Sequence, residues 1–97
     1  MKSYQFHPDA EAEFLAQRDY YDSCEAGLGA RFVSEVLLRV YDILEMPSSF
    51  PLRRGFRHCL LRVFPFDIVF EEFEDTIVIY AVAHTRRRPG YWKFRLK

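Results

Sequence analysis

The stretch "FRHCLLRVFPFDIVFEEFEDTIVIYAVAH", residues 56–84, contains three strand-like runs in close succession. Pro65 punctuates the first junction and Glu74-Asp75 the second, so both connections are short enough for hairpins. In the first run Cys59, Leu61 and Val63 alternate with His58, Leu60 and Arg62. In the second, Ile68 and Phe70 alternate with Asp67, Val69 and Glu71. A period of two sends the apolar set to a covered face and leaves His58, Arg62 and Asp67 on the other. The third run is apolar on both faces, the pattern of a central strand.

The cover must come from upstream. Phe32, Val36, Val40 and Ile43 form one helical stripe, widened by Val33, Leu37 and Leu44. This predicts a helix from Leu28 to Glu45, stopped by Pro47. An earlier helix runs from Pro8 to about Asp22. Pro8 suits its first position, and Asp9, Glu11 and Glu13 suit its positive end. Its apolar positions are Ala10, Phe14 and Tyr21, with Ala12, Leu15 and Ala16 nearby. Between the helices, "DSCEAGLG" is a short break with two glycines, which makes them an antiparallel hairpin. "SYQFH", residues 3–7, alternates like a short first strand, and "MPSSFPLRRG", residues 46–55, reads as a loop. The expectation is one α+β domain over residues 1–97, in the order β-α-α-β-β-β. A small antiparallel sheet carries the helical hairpin on one face.

A formal net charge of zero conceals a division along the chain. Residues 1–52 hold four Lys/Arg and nine Asp/Glu, a balance of −5; residues 53–97 hold ten and five, a balance of +5. The last twelve residues carry Arg86, Arg87, Arg88, Lys93, Arg95 and Lys97 and no acid. Such a basic half suits a polyanion or an acidic partner. Aromatic residues make up 18% of the chain, enough to furnish a surface site as well as a core.

Other chemistries lack their residues. His7, His58 and His84 have no metal-ligand spacing, and neither Gly-rich phosphate loop nor serine elbow occurs, so no metal and no cofactor is expected. Cys24 and Cys59 match no redox or metal motif. There is no signal peptide and no apolar run of about 18 residues, so no membrane association and a reducing cytoplasm are expected.

The chain resembles the RelE/ParE toxins of type II toxin–antitoxin, or plasmid stabilisation, systems. The resemblance is carried by "HPDAEAEF", "YYDSCEAGLGARF", "GFRHCLLRVFPFDIVFE" and "IYAVAHTRRRPGYWKFR", in that order and spacing. It implies the same β-α-α-β-β-β fold, a cognate antitoxin partner and a bacterial or archaeal cytoplasm. In that family some members cleave messenger RNA on the ribosome, whereas others inhibit DNA gyrase. Operator DNA would be reached only through the antitoxin.

Metal-independent RNA cleavage needs a proton acceptor, cations for the phosphorane and a proton donor. His84 is the candidate base or acid, Arg87 and Arg57 the phosphate clamps, and Tyr91 the stacking or proton-transfer group. Tyr91 and Arg87 are also the residues that the resemblance favours. Arg62, Arg86, Arg88, Lys93 and Arg95 complete a nucleic-acid-binding set. One departure stands out: RNA-cleaving relatives carry an arginine in the middle strand where this chain has Asp67, placed to orient His58 or pair with Arg62. The expected activity is ribosome-associated messenger RNA cleavage by an endoribonuclease. The alternatives are a gyrase-binding toxin without catalysis and a degenerate module that binds only its antitoxin and operator.

Overall fold

A computed structural model describes residues 2–96 of the chain. Lys97, counted above in the basic tail, lies outside the described residues. The elements are β1 (Ser3–Phe6), α1 (Pro8–Cys24), α2 (Leu28–Glu45), β2 (Leu52–Arg53), β3 (Phe56–Leu60), β4 (Phe66–Glu72) and β5 (Thr76–His84). Short 3-10 turns occupy Pro47–Ser49 and Lys93–Leu96. The helical hairpin covers one face of a five-stranded sheet of order β1-β5-β4-β3-β2.

α1 starts where the sequence says it should. The His7 imidazole Nδ1 accepts from the Asp9 N–H at 3.0 Å, and Pro8 takes the first helical position. α2 follows a left-handed Gly27 (φ 87°) and runs over the predicted residues. The helices close on each other at Gly29, whose N–H donates to Asp22 Oδ1 at 2.8 Å. A Cβ there would land on the Arg18 carbonyl oxygen and the Asp22 carboxyl group, so only glycine permits this approach.

The main core lies between hairpin and sheet. Phe32 is fully buried at its centre, with ring centroids of Phe14, Tyr21, Phe64 and Phe66 between 5.1 and 5.7 Å away. Val36, Val40 and Ile43 extend the contact over Ile68, Phe70, Ile77 and Ile79. On α1 only Ala10 and Phe14 are buried, while Ala12, Leu15 and Ala16 face solvent.

Three features depart from the sequence reading. The sheet is mixed, because β1 pairs parallel to β5 while the other pairings are antiparallel. The cause is β2, two exposed residues too short to show a period. It adds one reversal of direction before β3 and so turns β5 to run the same way as β1. Next, β3 ends at Leu60 instead of continuing to Phe64. Residues 61–65 form a turn whose Arg62, Val63 and Phe64 N–H groups all donate to the Glu35 carboxylate of α2. Arg62 and Val63 therefore sit in an exposed turn, off the sheet. Finally, the second face of the sheet has its own apolar core. Phe56, Val69, Tyr80, Ala81 and Ala83 pack there beneath Trp92 of the C-terminal segment. β5 is apolar on both sides because both sides are covered.

Candidate functional site

Beyond His84 the chain turns through Pro89 and the left-handed Gly90 (φ 82°) and returns across the sheet. Two residues anchor the return. Trp92, 7% exposed, packs onto the second core. Arg95 is buried as well, and its guanidinium meets both oxygens of Glu13 at 2.9 and 2.8 Å and the Tyr80 carbonyl at 2.9 Å. The segment after β5 is thereby a surface held against α1 and the sheet.

This surface brings three of the four cleavage candidates together. The Arg87 guanidinium lies 3.8 Å from the centre of the Tyr91 ring, a close cation–π contact, and 3.6 Å from Glu13 Oε2. Its backbone N–H donates to the His84 carbonyl at 2.9 Å. The His84 imidazole stands edge-on to Phe66, with Nδ1 accepting from the Arg86 N–H at 3.1 Å. Tyr91 is held up to about 12, first by burial and then by the neighbouring Glu13 carboxylate.

The fourth candidate is elsewhere. Strand alternation turns Arg57 toward the helix side, where its guanidinium donates to the Phe50 carbonyl at 2.7 Å and to that of Ser48 at 3.4 Å. Phe56 and His58, on either side of it, face the C-terminal segment. Arg57 thus ties down the loop after α2 and does not reach His84, Arg87 or Tyr91. Arg95 is likewise withdrawn from the nucleic-acid set by its clasp with Glu13. Arg62 belongs to the Glu35-held turn. Arg86, Arg88 and Lys93 remain exposed, and among the described residues no carboxylate oxygen lies within ion-pair distance of them.

Asp67 takes the first of the two roles the sequence offered it, beside His58 and away from Arg62. His58 Nδ1 lies 2.7 Å from Asp67 Oδ2 on the face toward the C-terminal segment. Their alternation onto one face was the available signal. With Arg53, Arg54 and Trp92 they line a cleft of about 420 Å³ that reaches His84, Arg87 and Lys93. A smaller cavity of about 210 Å³ lies between α1 and the segment, beside Glu13, His84 and Tyr91. No group of three or more metal-ligating side chains occurs among the described residues. No described helix is long and apolar enough to cross a membrane.

Comparison with known proteins bears on this geometry. Residues 4–89 match the family model described as the ParE toxin of the type II toxin–antitoxin system parDE. No curated protein matches the chain. Among solved structures, the chromosomal ParDE system from P. aeruginosa superposes with a TM-score of 0.75 at 20% identity. The match covers 87% of this chain and 96% of that one. At that identity the likeness establishes a common fold.

Proposed function

We propose that this chain, which belongs to the ParE toxin family of type II toxin–antitoxin systems, acts by binding and inhibiting DNA gyrase and does not cut messenger RNA. It is the toxin component of such a module, and its partner is a cognate antitoxin. The choice of gyrase reverses the preference drawn from the sequence.

The observation that carries the reading is that one cation of the cleavage set, Arg57, lies apart from the other three candidates, while Arg87 and Tyr91 are engaged with each other and with Glu13. Metal-free scission requires base, acid and cations to converge on one phosphate. Here Arg57 is committed on the opposite side of the sheet. Tyr91, at about 12, is a weaker acid than an ordinary tyrosine, and the face of its ring is occupied by Arg87. Asp67 brings an acid to the cleft lining, where a cleaving site gains from a cation. What remains suits docking: the C-terminal segment exposes the cations Arg86, Arg88 and Lys93, none with a carboxylate in ion-pair distance among the described residues, and the 66% exposed ring of Phe94. An antitoxin segment with acids flanking an apolar stripe would cover that surface.

A gyrase supercoiling assay run beside a ribosome-dependent messenger RNA cleavage assay tests the proposal. Purified toxin should block supercoiling and leave the message intact. Cleavage of ribosome-bound message with unaffected supercoiling would overturn it.

A further inference from the structure

We propose that the β3–β4 turn, residues 61–65, is a preformed knob that inserts into an apolar, acid-edged pocket of a folded protein, which is gyrase in the setting of the reading above. The inference rests on that reading and names a toxin surface that the target contacts.

The first observation is how the turn is held. The Glu35 carboxylate accepts from the Arg62, Val63 and Phe64 N–H groups, the last two at 3.1 and 3.3 Å. One helical turn further along α2, Arg39 Nε donates to the Leu60 carbonyl at 3.2 Å. Beneath the turn Leu61 and Phe64 are buried, and the Phe64 ring lies 5.0 Å from that of Tyr21 and 5.4 Å from that of Phe32. Four main-chain groups are thus tied by ionised side chains above two core anchors. Such a turn has little left to order on binding.

The second observation is what the turn displays. Val63 is 72% exposed, and Leu60, three residues before it, is 57% exposed. Glu35 and Arg39 grip main chain only, so serine or asparagine at position 63 would serve the turn as well. A single exposed valine elsewhere on the surface needs no account. Here it tops a clamped turn, and α2 adds the exposed Leu38 three residues on from Glu35.

The third observation is position. The Thr85 N–H donates to the Pro65 carbonyl at 2.9 Å, and Phe66 pairs with His84. The turn and the C-terminal segment therefore lie at the same end of the sheet, and the knob continues the docking surface described above. Arg62 and Arg86 at that end have no carboxylate oxygen within ion-pair distance among the described residues, whereas Arg39 is matched by Asp42 at 2.7 Å. Apolar side chains flanked by these cations fit a pocket with carboxylates at its edge. The feature is also convex. A folded protein offers a pocket for it, whereas an antitoxin segment needs a groove in the toxin. That shape selects the target over the antitoxin.

The experiment measures binding of the full chain, Val63→Ser and Arg62→Ala to gyrase holoenzyme and to the cognate antitoxin by biolayer interferometry. Val63→Ser should weaken gyrase binding about fivefold or more, and Arg62→Ala about threefold or more. Both side chains are exposed, so melting temperatures should stay within a few degrees of the parent. Antitoxin binding should stay within about twofold of the parent, as expected for residues outside its contact. A full chain that binds gyrase, with both variants binding it equally well, would overturn this inference and leave the reading above intact. A full chain that does not bind gyrase would overturn both. Variants that keep gyrase binding and lose the antitoxin would overturn the inference in favour of an antitoxin contact.

Discussion

Glu13 of α1 and Arg95 of the last turn form a two-pronged ion pair, 2.8 and 2.9 Å long, that joins residues at opposite ends of the chain. The Arg95 side chain is only 6% exposed, so this contact replaces water around a full positive charge. Asp9, at 3.9 Å, is a distant second partner. Glu13→Gln should therefore destabilise the fold by about 2–4 kcal/mol, because the buried guanidinium loses its compensating charge. Urea denaturation measures this, and a loss below about 0.5 kcal/mol would show that the clasp does not hold the segment down.

Gly29→Ala should be costly for a different reason. Alanine is the better helix former, so an isolated α2 would gain from the change. In the folded hairpin the new methyl group meets the Arg18 carbonyl and lies 2.8 Å from the Asp22 carboxyl group. The helices must part, at about 1–3 kcal/mol. A melting temperature equal to or above that of the parent would refute the close approach.

Alkali should unfold the protein through its tyrosines. Tyr80 is raised to about 12 by burial and by its hydrogen bond to Glu71, and Tyr91 to about 12 by burial and Glu13. Both folded-state values exceed that of an unfolded tyrosine near about 10. The folded chain thus binds these protons more tightly. Their contribution is complete below about pH 10 and declines as pH rises toward about 12. Phenolate absorbance followed together with circular dichroism should show tyrosine ionisation and unfolding in that same window. Ionisation of every tyrosine near pH 10 with the fold intact would contradict it.

Two substitutions in the C-terminal segment separate docking from catalysis. Arg87→Ala removes an exposed cation and its contact with Tyr91, so growth inhibition should be lost with only a few degrees' change in melting temperature. His84→Ala should leave toxicity within about threefold of the parent, because a binding surface has no step that needs the imidazole. A fall of about 100-fold or more in His84→Ala, with target binding retained, would restore the ribonuclease reading.

The helices were legible because their signal is redundant. Along α2 the stripe Phe32–Val36–Val40–Ile43, the preceding glycine and the following proline agree on the same limits. β2 was not, since two exposed residues carry no period, and through β2 the direction of β5 relative to β1 was misjudged. The pairing of His58 with Asp67 was one of the two roles that the sequence reading offered that acid, because alternation put both on one face. The same alternation turns Arg57 away from His58, yet its charge argued for the site. Arg95 was hidden altogether: a basic run implies solvent, and nothing in residues 86–97 announces that one member folds back onto Glu13 across 82 positions.

The strand order has a consequence for solubility. Both edges of the sheet are its shortest strands, β1 with four residues and β2 with two, and the nine-residue β5 is enclosed between β1 and β4. Short edges offer little template for a neighbouring chain. Loss of β1 would uncover the main-chain edge of β5 along Thr76–Ile79, in the most continuously apolar strand of the molecule. A toxin shortened by six residues at its start would therefore keep most of its core and still be driven to self-associate into fibrils.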